Sequence, residues 1–218
     1  MVSKFIKVVL PLLSMPLLLG LLFGPAQATT GPDELIKTTA EQLVNALQAE
    51  GDRLKEQPER SYGLVEEIIL PHVDARRISQ WVLGTHWRTA SPEQRQRFSD
   101  EFRTFLIRTY ANAMVEFLDK VLEHADAVHY APLRLSPGEE TVTVRTEIRR
   151  VDGGPPIPVH YHMHRSGEDW KIYDVSIDGV SLVTTYRSSF ASRIRRDGME
   201  SLIEELALRN QQALQSVR

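Results

Sequence analysis

The sequence predicts an α+β fold, in which an antiparallel β-sheet of about four strands is covered by helices and preceded by an N-terminal helical elaboration. Three observations carry this expectation. Apolar residues recur at spacings of three and four up to about Leu122, two-residue alternation takes over as far as Asp178, and helical spacing then returns to the C-terminus. A sheet with one apolar face and no second sheet to meet it has to be closed by the helices on either side of it in the chain.

Residues 1–28 read as a cleavable secretory signal. Lys4 and Lys7 precede an apolar stretch over residues 8–23, which closes with Ala26-Gln27-Ala28. Pro11, Pro16 and Gly20 interrupt that stretch, and it falls short of the roughly 20 apolar residues of a spanning helix. Cleavage after Ala28 would leave 190 of the 218 residues, 29–218, as one domain, and would lower the formal net charge from −3 to −5. The acidic balance and interspersed signs point away from nucleic acid and from strong attraction to anionic lipid surfaces. With no cysteine in the chain, neither a disulfide nor acylation after the cleavage site is available, so the core alone stabilises the fold.

The helical part covers about residues 32–122. Pro32-Asp33-Glu34 starts the first helix with acids in its first turn, Leu35, Ile36, Leu43, Val44 and Leu47 form its apolar face, and Gly51 is expected to end it. A second helix is expected over residues 61–70, stopped by Pro71. Asp74 then caps a short helix carrying Ile78, Trp81 and Val82, which Gly84 terminates. Ser91-Pro92-Glu93-Gln94 is a capping-box signature with proline at the first helical position. The long helix after it places Phe98, Phe102, Phe105, Leu106, Tyr110, Ala113, Met114, Phe117 and Val121 in one wide stripe. Such a stripe fits an ordinary core face and the wall of a cavity equally well.

The sheet spans about residues 127–178. Val142, Val144, Thr146 and Ile148 share one strand face, and Asp152-Gly153-Gly154 turns the chain into a hairpin partner with Ile157, Val159, Tyr161 and Met163 on one face. A turn at Ser166-Gly167-Glu168 leads into a strand over residues 170–178. Helices over about residues 181–216 follow. The first carries Leu182, Tyr186 and Phe190, and after Gly198 the last carries Leu202, Ile203, Leu206, Ala213 and Leu214.

Few residues suggest chemistry. His160, His162 and His164 alternate on one strand face and could converge on a metal, but Pro158 shares that face and no carboxylate or cysteine stands at a ligand spacing nearby. Metal and catalytic residues are therefore both expected to be none. Strict alternation puts Asp174 beside Trp170 and Ile172, where a raised pKa would make it a general base. In the simpler reading it is ionised and pairs with a backbone amide or with Arg187. Arg195 and Arg196 suit the carbonyl end of their helix, while Arg187 and Arg193 are candidates for facing phosphate.

The run Trp170-Lys171-Ile172-Tyr173-Asp174-Val175, then Asp178-Gly179-Val180-Ser181-Leu182-Val183 and Tyr186-Arg187-Ser188-Ser189-Phe190, resembles the MlaC family of toluene-tolerance auxiliary proteins. The likeness extends over most of residues 29–218, including the long helix before the strands and the Gly198-Met199-Glu200-Ser201-Leu202-Ile203 segment. It implies a nuclear transport factor two-like fold wrapped by extra helices. The implied function is that of a non-enzymatic periplasmic phospholipid carrier, without cofactor, in a transport system that maintains outer-membrane lipid asymmetry. The implied partners are an inner-membrane ABC transporter complex with an MCE-domain protein and an outer-membrane lipoprotein–porin complex.

The apolar faces nominate the cavity wall. Trp81 and Val82 come from the short helix, and Phe98, Phe102, Phe105, Leu106, Tyr110, Met114 and Phe117 from the long one. Val144, Ile148, Tyr161, Met163, Trp170 and Ile172 come from the sheet, and Leu182, Tyr186 and Phe190 from the helix after it. Arg187 and Arg193 are nominated for a head-group rim. Two tails call for a volume at or above the upper end of the roughly 300–1,000 Å³ usual for ligand pockets. Two further readings remain open from sequence: a cavity enzyme using Asp174, and a periplasmic chaperone whose groove takes peptides.

Overall fold

The computed structural model describes residues 30–150 and 152–215, with the side chains at 214 and 215 left aside. The expected signal segment, 1–28, lies outside the described residues. Among those residues no helix is long and apolar enough to cross a membrane.

Helix α1, Pro32–Glu56, passes through Gly51 instead of ending there. A Cβ at Gly51 would stand 3.7 Å from Leu118, so the glycine lies where a later helix comes close. The stop comes from Pro58, which drives Gln57 out of helical geometry (φ −134°, ψ 73°). Helix α2, Arg60–Leu64, widens into a π turn over Val65–Ile69 and tightens into a 3₁₀ turn over Leu70–His72, so the chain carries Pro71 without a clean break. Asp74 caps α3, Ala75–Leu83, by accepting from the Arg77 amide at 2.9 Å, and Gly84 ends it at φ 55°. A single turn, α4 at His86–Thr89, precedes α5, Pro92–Glu116. There Ser91 and Gln94 form the expected reciprocal capping box. The long helix does not continue to Val121: Phe117 leaves helical geometry (φ −105°, ψ 22°), and α6, Leu118–Glu123, starts afresh.

Five strands follow in sequential antiparallel order: β1 Val128–Tyr130, β2 Thr141–Ile148, β3 Ile157–Ser166, β4 Asp169–Ile177 and β5 Val180–Ser181. The strand beyond the expected four is the two-residue β5, formed because Asp178 (φ 51°) and Gly179 (φ 78°) make a tight left-handed hairpin turn. Opposite His162 and Met163 the register slips. His162 pairs with Asp174 and Met163 with Ile172, leaving Tyr173 as an extra bulge residue in β4. Ser181 then caps α7, Leu182–Asp197, and Gly198 (φ 89°) turns the chain into α8, Met199–Gln215.

Four solid clusters hold these elements together. Phe98, Phe102, Val82, Leu83, Val183, Phe190, Leu202, Ile203 and Leu206 join α3, α5, α7 and α8. Ile36 of α1 packs with Val142, Val144, Met163, Trp170 and Ile172 on one face of the sheet. Leu47, Leu54 and Leu118 join α1 to α6, and Val65, Ile107 and Ala111 join the π turn to α5. Two contacts seal the free edge of β4 to α3: Val73 bridges Ile172 in parallel, and the Asp74 amide donates to the Ile172 carbonyl at 2.9 Å.

Candidate functional site: an apolar cavity between helices and sheet

A cavity of about 460 Å³ lies between these clusters. Val65, Ile69 and Leu70 of the π and 3₁₀ turns form one side, Ile78 and Val82 of α3 a second, and Leu106, Ile107 and Met114 of α5 a third. The floor is the sheet, through Ile148, Val159, Tyr161, Ile172, Val175 and Ile177, and α7 closes the remaining side with Leu182, Val183 and Tyr186. Three lining residues, Arg103, Tyr110 and Ile177, are exposed and so mark the opening. The space is mid-range for a ligand pocket, not at the upper end expected from sequence. Two rings expected to border it pack on one another instead: Phe98 stands edge-on to Phe190 at 5.9 Å, while Phe102, which does border the cavity, also stands edge-on to Phe190 at 5.4 Å.

The wall is nearly uncharged. Burial pushes the Tyr161 phenol up to about 12, with the neighbouring Tyr130 adding to the rise. Partial desolvation by the apolar wall, followed by a hydrogen bond to Tyr186, raises Tyr110 well above an ordinary phenol although the residue is exposed at the opening. Both stay neutral at any physiological pH. Ser79 spends its hydroxyl on the Ala75 carbonyl, 2.8 Å away. Apart from Arg103 at the opening and Asp174 at the margin, what remains is a hydrocarbon surface with phenols as its polar points, suited to alkyl chains and poor at stabilising developing charge.

The structure brings together Val82, Phe102, Leu106, Tyr110, Met114, Ile148, Tyr161, Ile172, Leu182 and Tyr186 of the nominated wall. The others lie elsewhere. Phe98, Phe105 and Phe190 belong to the filled cluster against α8, and Val144, Met163 and Trp170 to the filled cluster under α1. Phe117 is 47% exposed at the end of α5, with Lys120 over its ring. Trp81 turns toward the bulge, its ring 4.8 Å from Tyr173. Sequence reasoning passed over the π-turn residues, Ile107, Val175 and Ile177. The four-residue spacing of Val65 and Ile69 could have signalled the first two, but Val175 and Ile177 reach the floor only because the bulge resets alternation.

That bulge also corrects the reading of Asp174, which pairs with His162 and not with the face of Trp170 and Ile172. Asp174 borders the cavity, but its carboxylate is committed. One oxygen accepts from the Ser181 hydroxyl at 2.6 Å and the other from the Val183 amide at 3.1 Å, so it anchors the start of α7. Arg187 does not reach it and donates to the Trp81 carbonyl at 2.6 Å. Arg187 lines a separate shallow cleft with Gly84, Thr85, His86 and Arg88, and Arg193 is paired with Glu205 of α8. Neither arginine stands at the cavity.

The histidines likewise go separate ways. His164 is buried with Nε2 2.8 Å from Asp74 and Nδ1 3.1 Å from Arg77, whose guanidinium lies over the Trp81 and Tyr173 rings. His162 is 3.1 Å from the Thr143 hydroxyl. Among the described residues no three His, Asp or Glu side chains are grouped closely enough to hold a metal ion.

Comparison with known proteins accords with this architecture. A phospholipid-binding protein from Ralstonia solanacearum, solved in complex with a phospholipid, superposes with a TM-score of 0.70 at 30% identity, covering 85% of this chain and 99% of that one. The toluene tolerance protein ttg2D of Pseudomonas putida is 27% identical over 172 residues, 78% of this chain and 76% of the relative. The intermembrane phospholipid transport system binding protein MlaC of Haemophilus influenzae is 24% identical over 184 residues, 83% of each chain. The MlaC protein family model matches residues 37–208. The chain belongs to the MlaC family.

Proposed function

We propose that this chain is a periplasmic phospholipid carrier that holds acyl chains in the apolar cavity and shuttles lipid between the outer and inner membranes, maintaining outer-membrane asymmetry without covalent chemistry. The observation that carries this reading is the cavity itself: about 460 Å³ enclosed by aliphatic and phenolic side chains, with its opening at Arg103, Tyr110 and Ile177. In the same reading residues 1–28 are the export signal and residues 29–218 the carrier. The docking partners are the inner-membrane ABC transporter complex, met through its MCE-domain protein, and the outer-membrane lipoprotein–porin complex. The phospholipid bound by the Ralstonia solanacearum relative supports the choice of ligand.

A diacyl lipid carries on the order of 30 methylenes, and at about 0.8 kcal/mol each their removal from water is worth roughly 20 kcal/mol or more. Escape into water is therefore slow, and handover has to take place while the carrier is docked. Because the volume is mid-range, seating two tails requires the wall to yield. The lining offers the flexible Met114 and, in the π turn, a helix without regular geometry.

The test is an organic extract of protein purified from the periplasm, analysed by mass spectrometry for phospholipid. Wild type is expected to carry phospholipids of more than one head group, and Val175→Trp, which fills the cavity floor, to carry far less while remaining folded. No lipid on wild type, or peptide adducts in its place, would overturn the proposal.

A further inference from the structure

The arginines of α5 and α7 are unequal. Arg97 pairs with Glu200, Arg193 with Glu205, and Arg187 and Arg108 spend donors on the carbonyls of Trp81 and Asn210. Asp174 is held at the start of α7 by two donors. Arg103 alone among the lining residues is a cation, and it is exposed, its guanidinium making no hydrogen bond or ion pair to any described residue. Its place on α5 is one turn before Leu106 and Ile107 and two turns before Tyr110, so all four share a helix face. Along that face a guanidinium at the opening gives way to hydrocarbon and then to Met114.

We propose that Arg103 is the phosphate anchor of the cavity, taking the phosphodiester of a lipid whose tails lie inside. The inference rests on the carrier reading above and adds the residue that sets which end of the ligand faces out. An arginine stem can lie along the apolar wall while its head stays in water, so leaving it unpaired costs little before a ligand arrives. The planar fork donates two parallel hydrogen bonds to two phosphate oxygens, and this geometry is indifferent to what is esterified beyond the phosphate. Head groups are then accepted broadly, provided that a phosphate is present. Tyr110, on the same helix face and neutral, supplies a further edge to the opening without repelling an anion.

The experiment compares two probes with identical tails, dipalmitoyl phosphatidylglycerol and dipalmitoylglycerol, loaded from neutral vesicles onto lipid-free protein and quantified by mass spectrometry. Arg103→Glu is expected to lower phosphatidylglycerol loading on the order of tenfold and to leave dipalmitoylglycerol within about twofold. Arg103→Lys should fall between, since it keeps the charge and loses the fork. Urea unfolding of each lipid-free variant should match wild type, because the Arg103 side chain has no partner among the described residues to lose. Inorganic phosphate at millimolar concentration should not compete, since a lone exposed arginine binds the anion weakly without the tails. Equal phosphatidylglycerol loading by Arg103→Glu and wild type overturns the anchor and leaves the carrier standing. An equal loss of both probes also overturns the anchor, because it places the effect on the cavity as a whole. Competition by inorganic phosphate overturns the lipid assignment in favour of a free-anion site. Failure of wild type to load either probe overturns both readings.

Discussion

Two leucines on neighbouring helices separate a hollow interior from a filled one. Leu202 of α8 is 2% exposed inside the cluster formed by α3, α5, α7 and α8. Leu106 of α5 is half-buried and lines the cavity. Leucine to alanine removes three carbons, worth about 0.8 kcal/mol each when fully buried, or roughly 2.4 kcal/mol. At Leu202 the void left behind adds to that, because neighbours on every side lose contacts, and the expected loss is about 3–4 kcal/mol. At Leu106 the inward side already faces open space, so about half the transfer energy and little of the cavity penalty remain, about 1–1.5 kcal/mol. The assay is urea denaturation of lipid-free protein followed by tryptophan fluorescence, with thermal unfolding as a check at roughly 2–4 °C per kcal/mol for a domain of this size. Adding phospholipid should then stabilise wild type more than Leu106→Ala, since ligand binding to the folded state raises stability with the logarithm of affinity. Equal losses at the two positions without lipid would refute the reasoning, because Leu106 would then be as fully packed as Leu202.

Three further outcomes follow from particular contacts. Asp74→Ala removes both the cap of α3 and the partner of buried His164, and should cost about 1–3 kcal/mol in chemical denaturation. Asp74→Ser should recover the capping share. Glu205 is held below the ordinary carboxylate value of 4.5, first by its hydrogen bond to Arg193 and then also by Arg209. Its contribution is present in full above 4.5 and is lost as pH falls through the depressed folded value. A pH series of unfolding midpoints should therefore show Glu205→Gln weakest relative to wild type near neutrality, with the gap narrowing toward pH 3. Phe117→Ser should leave phospholipid loading unchanged within error, since that ring lies at the exposed end of α5 and not on the cavity.

Local chemistry made much of the fold legible before the structure. The capping box at Ser91 and Gln94, the Asp74 cap, the stop at Gly84 and the β2–β3 hairpin each depend on neighbours in sequence, and each forms where expected. Features that depend on distant partners were not legible. Gly51 reads as a helix end until Leu118 is seen beside it, and strict alternation in β4 fails at Tyr173 because the extra residue is defined only against β3. The same limit divides the candidate site. Phe98 and Leu106 belong to one stripe on one helix, yet Phe98 is fully buried in the cluster that includes Leu202 and Ile203, while Leu106 packs against the margin of that cluster and lines the cavity. Arg187 and Arg193 stood out by clustering, whereas Arg103, one of four arginines on α5, is set apart by lining the cavity with no side-chain partner among the described residues.

A cavity of this kind persists only if its walls are prevented from meeting, and the anchoring contacts lie behind the walls. On its far side α5 is clamped to α8 by buried Leu202, Ile203 and Leu206 and by Asn210, whose side-chain amide donates to the Glu101 carbonyl at 2.9 Å and to the Glu101 carboxylate at 2.7 Å. α3 is tied to β4 through the Asp74 amide and to β3 through the Asp74–His164 pair. The sheet is braced at its other end by α1 over Trp170 and Met163, upstream of the bulge. The bulge thus divides β4 into a filled half and a half that floors the cavity. Closing the space would require α5 to leave α8 or α3 to leave the edge of β4, and each move would break these buried contacts. Walls fixed from behind leave the inward side chains free to change rotamer, which is the property a carrier of tails of unequal length requires.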